Sequence, residues 1–161
     1  MADRDGAGRG RRKPDRPAAK VTDSRIGWVA RHIRRYVATD GRDGGRWYGH
    51  DSLLLTTRGR RSGRPRRTAL FYWRDGDEYV VVVSNGGEPR YPDWYLNLVA
   101  DPDVAVQVGA DLFPARARPA TAEERPRLWD LVIEGFPEYA RYQRKARRDL
   151  PVVVLRPIRL P

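Results

Sequence analysis

Between Ser52 and Arg118 the apolar residues come in short runs of strand length with turn residues between them, and this limits the fold more than any other feature of the chain. Ser52–Thr57 (SLLLTT) reads as a short strand. Arg67–Trp73 (RTALFYW) alternates Thr68, Leu70 and Tyr72 with Ala69, Phe71 and Trp73, the period-two pattern of a half-buried strand. Asp75-Gly76 is a hairpin signal, and Glu78–Ser84 (EYVVVVS) returns from it. Val104–Val108 and Leu112–Arg118 flank a turn at Gly109–Asp111, and Pro151–Arg156 (PVVVLR) is a last strand. Helices are inserted, not alternated with the strands. Pro92–Val99 carries proline in its first turn. Thr121-Ala122-Glu123-Glu124 is a capping box opening a helix to about Gly135, and Pro137 starts another. With no strand–helix–strand rhythm, a Rossmann arrangement is disfavoured. Six short strands joined mostly by hairpins predict a mainly β, α+β chain, an antiparallel barrel with peripheral helices.

The 161 residues suit one domain with one core. Residues 1–23 contain almost nothing to bury and read as a disordered basic tail, leaving residues 24–161 as the domain. Ile26, Val29, Ile33, Tyr36 and Val37 recur at helical spacing within Ser24–Val37, with arginines elsewhere on the wheel. Such a helix packs its stripe on a domain or lies on an anionic membrane, and packing is the expectation, with weak peripheral membrane contact as the alternative. There is no cysteine, which removes disulfides and thiolate chemistry, and only His32 and His50 are present, which argues against a metal site. No apolar run approaches the roughly 20 residues of a membrane span, and the N-terminus lacks the apolar core of a secretory signal. The expected location is the cytoplasm.

The net charge of +11 is concentrated in three places. Residues 1–20 contribute +4, Arg58–Arg67 contributes +6 and Ala140–Asp149 contributes +4, so the remainder is slightly acidic. Basicity that is local reads as sites. GxGxxG after a strand, GxxxxGK[ST], GxSxG and HExxH are all missing. An enzyme built this way would draw its reactive atoms from a cofactor.

Three clusters could hold one. In Thr56–Arg67 six arginines fall within ten residues, and a hairpin would crowd them. An anion between them relieves the repulsion, since guanidinium forks and glycine-exposed N–H groups bind phosphate and carboxylate. A solvated basic loop carries the same residues. In Ser84–Leu98 a tight Gly86-Gly87 turn follows a very apolar strand, and Trp94 shares a helix face with Asn97. That pairs an aromatic plate with an amide, apt beside a planar heterocycle and equally at home in a core. In Phe136–Arg144, Tyr139 and Tyr142 lie one helical turn apart, placed to stack on a ring, donate a proton or pack on the barrel.

The succession LLLTT, RGRRSGRPRRT, YVVVVSNGG, PDWYLNL, DPDVAVQV, FPEYARYQ and PVVVLRP resembles the deazaflavin (coenzyme F420)-dependent nitroreductase family over roughly residues 50–158. The resemblance implies a split β-barrel that binds coenzyme F420, a deazaflavin with a phosphate and a glutamate tail. It places that tail on Arg60, Arg61, Ser62 and Arg66, with Arg67, Thr68, Ala69, Leu70 and Phe71 running beside the ring. It sets Val82, Val83, Ser84 and Asn85, and the helical Asp93, Trp94, Tyr95, Leu96 and Asn97, as the remaining wall. It puts Tyr139 and Tyr142 on the substrate side with Phe136, Tyr139 also counting among the cofactor-binding residues, and the product's proton would come from solvent, Ser84 or Tyr139. Two positions depart from the family pattern: Arg61 stands where lysine is frequent and Phe136 where tyrosine is.

The expected function is hydride transfer from reduced F420 to a small organic acceptor of nitro, quinone or enone type. An FMN oxidoreductase on the same barrel is the first alternative, but one phosphate calls for fewer arginines. A nucleic-acid module would carry a stripe of exposed aromatics, whereas these aromatics lie mainly in alternating strands. A carrier without turnover is the third alternative. The oligomeric state stays open.

Overall fold

Where Val80–Val83 and Val152–Leu155 present apolar side chains on both faces, both faces are covered. The computed structural model of the chain describes residues 20–159. Tyr79, Val81, Val83, Val153 and Leu155 point inward against Leu53, Leu55, Val104, Val106, Ala115 and Ala117. Val80, Val82, Val152 and Val154 point outward and are roofed by Leu128 and Val132. Unbroken apolar runs are thus strands sandwiched between the interior and helices.

The described residues contain nine strands, where about six were expected. They are β1 (Thr22–Asp23), β2 (Arg46–Trp47), β3 (His50–Arg58), β4 (Pro65–Phe71), β5 (Trp73–Asp75), β6 (Glu78–Val82), β7 (Asp103–Val108), β8 (Asp111–Pro119) and β9 (Val152–Pro157). Two of the extra strands are two-residue pieces with no apolar run to announce them, and the third arises because the stretch read as Arg67–Trp73 breaks at Tyr72 into β4 and β5. The helices are α1 (Gly27–Ala38), α2 (Asp93–Ala100), α3 (Arg125–Gly135) and α4 (Glu138–Ala146).

The sheet order is β1-β4-β3-β7-β8-β9-β6-β5, with β2 paired to β3. All its ladders are antiparallel except one: β1 runs parallel to β4, Thr22 opposite Arg66 and Asp23 opposite Arg67. The expectation of a tail through residue 23 therefore fails at its last residues, while residues 1–19 lie outside the described part. β4 and β5 sit near opposite ends of the path yet are separated only by Tyr72, so the sheet rolls on itself. It remains open: β4 and β6 lie side by side across a seam with no ladder between them among the described residues.

The capping box before α3 forms as read, the Thr121 N–H donating to Glu124 Oε1 at 2.8 Å and the Glu124 N–H to Thr121 Oγ1 at 3.2 Å. Burial also settles the face of α1. Val29, Ile33 and Tyr36 are buried against Leu54 and Ala69, while Ile26 and Trp28 are about half exposed at 54% and 51%.

Candidate functional site

The Arg58–Arg67 hairpin is built by its glycines. The Gly59 N–H donates to the Arg64 carbonyl at 2.8 Å, and the Gly63 N–H donates to the Gly59 carbonyl at 2.8 Å. Gly63 has φ +70°, and a Cβ on Gly59 would stand 2.7 Å from Ser62 Oγ, so neither position tolerates a side chain without rearrangement. Four of its six arginines, Arg60, Arg61, Arg66 and Arg67, line a groove of about 940 Å³ that runs along β4 at the seam.

The structure brings many of the residues singled out in the sequence to this groove. Arg60, Arg61, Ser62, Arg66, Arg67, Thr68, Ala69 and Leu70 face the groove, as do Val82, Ser84, Asn85, Asp93, Trp94 and Asn97. Four of the wall residues do not. Val83 alternates with Val82 and Ser84 and is buried in the interior. Tyr95 and Leu96 fall off the helix face shared by Asp93, Trp94 and Asn97. Phe71 turns away to ring contacts of 5.0 Å with His50 and 5.6 Å with Phe136.

The third cluster is not brought to the groove at all. Tyr139 is buried in the cluster that α3 and α4 form on the sheet, and Phe136 and Tyr142 are half-buried against it. Tyr139 is buried between Trp73, at 5.6 Å, and Phe136, at 4.8 Å. Burial holds its phenol far above the ordinary tyrosine range, with the Tyr142 hydroxyl adding to the effect. A phenol so hard to ionise and so enclosed is poorly suited to donate a proton to a bound acceptor. The helical stripe that made the two tyrosines look like a site is the stripe that packs α4 on the sheet.

Other lining residues gave no signal in the sequence. Asp23, Arg25, Ile26 and Trp28 close one side of the groove, Trp47 joins them, and Arg90 and Tyr91 close the other. Trp47 is in contact with Trp28 at 5.0 Å and is stacked on His32 at 4.2 Å. His32 is itself buried, and its pKa is lowered by that burial and by Arg35, with Asp43 opposing, so it packs as a neutral ring. These residues come from short elements whose neighbours in space are distant in sequence.

The arginines are not equivalent. The Arg60 guanidinium donates to Asn97 Oδ1 at 3.0 Å and to Asp93 Oδ1 at 3.3 Å, and its backbone N–H also donates to Asn97 Oδ1 at 3.2 Å. Asn97, buried, completes the arrangement by donating to Thr57 Oγ1 at 3.2 Å. Arg60 and Asn97 therefore fasten the hairpin to α2. The Arg67 guanidinium donates to Asp23 Oδ1 at 2.7 Å, fastening β1. Arg61 and Arg66 have no carboxylate partner among the described residues. Six guanidinium groups line the groove against three carboxylates, those of Asp23, Glu88 and Asp93. This excess of positive charge, beside a strip of Ala69, Leu70 and Val82 and the Trp94 ring, is a donor set for a ligand with a flat part and several negative charges.

Comparison with known proteins points the same way. A family model described as F420H(2)-dependent quinone reductase matches residues 28–157. An F420H(2)-dependent quinone reductase of Mycobacterium tuberculosis strain H37Rv is 43% identical over 141 residues, spanning 80% of this chain and 95% of its own. A solved F420-H2 dependent reductase (FDR-A) is 40% identical with a TM-score of 0.60, covering 65% of this chain and 92% of that one. A structure described as a domain-swapped dimer is 36% identical with a TM-score of 0.64, covering 82% and 99%.

Proposed function

The chain belongs to the F420H(2)-dependent quinone reductase family, and on that premise we propose that it binds reduced coenzyme F420 in the groove and reduces a quinone. The observation that carries this reading is the cationic excess along a groove that also has an apolar, aromatic strip. FMN, with a single phosphate, would leave most of those charges facing each other, so the donor set favours the longer anionic tail of F420. The rolled sheet with its open seam is read as the split barrel of the resemblance, the seam supplying the groove.

When bound, the deazaflavin supplies a hydride. The chain's residues hold, orient and shield. Arg61 and Arg66 take the tail and phosphate, with Ser62 beside them; Arg60 and Arg67 shape the hairpin while adding charge. Thr68, Ala69, Leu70, Val82, Asn85 and Trp94, which line the groove, would hold the ring. Orientation and exclusion of water are the protein's contribution to such a transfer. A quinone that accepts one hydride also needs one proton to become a hydroquinone. We assign that proton to solvent relayed at the Ser84 hydroxyl, since Ser84 lines the groove and Tyr139 does not. Quinone is the acceptor preferred over nitro compounds and enones, because the family description names it.

The test is an equilibrium fluorescence titration with F420, FMN and a single-stranded oligonucleotide, followed by F420H2 oxidation with a soluble naphthoquinone. Binding of F420 alone, with quinone-dependent oxidation, is expected. Preferential binding of FMN or of the oligonucleotide would replace this reading with its rival. In the same assay Tyr139→Phe should turn over at close to the wild-type rate, and a drop beyond tenfold would put the phenol back in the chemistry.

A second proposal concerns how a lipid-soluble acceptor arrives. Ile26, Trp28 and Tyr48 are exposed, Ile26 and Trp28 border the groove, and the chain from Ser24 to Thr39 contains no acidic residue. Aromatic and basic side chains together suit the surface of an anionic bilayer. Among the described residues no helix is long and apolar enough to cross a membrane.

A further inference from the structure

The wall from Ser84 to Pro92 has little regular structure, yet it provides much of one side of the groove. Three consecutive residues, Asn85, Gly86 and Gly87, have left-handed backbone at φ 44°, 64° and 79°. Such a segment holds one shape only if its surroundings fix it. Its internal bonds are few: the Gly87 N–H donates to the Ser84 carbonyl at 2.8 Å, the Glu88 N–H to Asn85 at 3.1 Å, and Asn85 Nδ2 to the Arg90 carbonyl at 3.0 Å.

The fixing comes from the basic cluster in the last turns of α4 and just beyond it, the third focus of charge in the sequence, which lines no part of the groove. Arg148 Nη2 donates to the carbonyls of Glu88, at 3.1 Å, and Arg90, at 3.3 Å. The same guanidinium lies 4.5 Å over the ring of Tyr91, which in turn contacts Tyr95 at 5.0 Å. Lys145 Nζ adds a contact of 3.3 Å to Glu88 and one of 3.4 Å to the Gly86 carbonyl. Arg148 is itself held. Arg147 turns the chain in left-handed backbone at φ 54°, Gln143 Nε2 donates to the Arg148 carbonyl at 2.5 Å, and Gln143 Oε1 accepts the Leu150 N–H at 2.9 Å.

We propose that Arg148 is a positioning residue for ligand binding: its guanidinium clamps the Ser84–Pro92 wall in the shape that presents Asn85, Arg90 and Tyr91 to the groove. The proposal rests on the F420 reading for the identity of the ligand and on the contacts of the Arg148 guanidinium for the clamp. Only arginine can meet two carbonyls and a ring with one planar group, so lysine at this position would keep the charge and lose the geometry.

The experiment compares wild type, Arg148→Met and Arg148→Lys by peptide-resolved hydrogen exchange without ligand, by F420 titration, and by thermal unfolding. For Arg148→Met the expected results are faster exchange confined to residues 85–91, a Kd for F420 raised about tenfold or more, and an unfolding midpoint close to wild type. Arg148→Lys should fall between Arg148→Met and wild type in both exchange and Kd. Unchanged exchange in both variants overturns the clamp, and faster exchange with unchanged Kd overturns its role in binding. Loss of Kd only in step with a general fall in the unfolding midpoint reduces Arg148 to a structural residue. If wild type itself fails to bind F420, the functional reading fails, while the exchange comparison still decides the clamp.

Discussion

Replacing Arg61 and Arg66 together by alanine is expected to weaken F420 binding by at least about a hundredfold and to leave the fold intact. Each contributes a charge-assisted interaction of roughly 1.5–3 kcal/mol with a phosphate or carboxylate, and every 1.4 kcal/mol is about tenfold in affinity. Neither has a carboxylate partner among the described residues, so removing them breaks no ion pair seen there. The effect should shrink as salt rises, since the hairpin is exposed. Arg60→Ala is the instructive contrast. It loses contacts to Asn97 and Asp93, so its cost should include loosening of the hairpin from α2, seen as faster exchange near residues 59–64. A fluorescence titration in which the Arg61/Arg66 double variant binds F420 as wild type does would remove the hairpin from the site.

The arginine hairpin was legible in the sequence because its signal is local: two glycines within ten residues set the turn, and six arginines crowd positive charge onto it. The strand runs were legible for the same reason, and so were Val82 and Ser84 at the end of one of them. What the sequence did not mark is set by the way the sheet rolls. Whether Val82 or Val83 meets the groove depends on which face of β6 is interior, and period alone does not choose between faces that are both apolar. Arg25, Trp28, Trp47 and Arg90 reach the groove from the start of α1, from β2 and from the Ser84–Pro92 wall, segments far apart in sequence. Tyr139 shows the converse error. An aromatic pair at helical spacing looks the same whether it faces a ligand or a core, and in α4 it faces the core.

The same ambiguity attended α1, where one helix carries both a buried and an exposed apolar stripe, and separating them calls for two substitutions. Ile33 is fully buried, and Tyr36, equally buried, donates its hydroxyl to the Ser52 carbonyl at 3.2 Å and accepts the Gly109 N–H at 2.8 Å. Ile33→Ala should cost about 2–5 kcal/mol through the lost burial and the cavity left behind. A chain beginning at residue 40 loses Val29, Ile33 and Tyr36 at once and uncovers Leu54 and Ala69. The summed loss then approaches the whole margin of roughly 5–15 kcal/mol that keeps a domain folded, so this chain is expected to aggregate or to lack a cooperative melting transition. Trp28→Ala removes a ring that is half exposed and touches mainly Trp47, so its unfolding midpoint should move little. Its co-sedimentation with phosphatidylglycerol vesicles should nevertheless fall severalfold at low salt, because an interfacial aromatic is lost from a basic face. A wild-type melting temperature in the chain beginning at residue 40 would show that α1 does not hold the sheet. Equal vesicle binding by wild type and Trp28→Ala would show that its outer face is not a membrane contact.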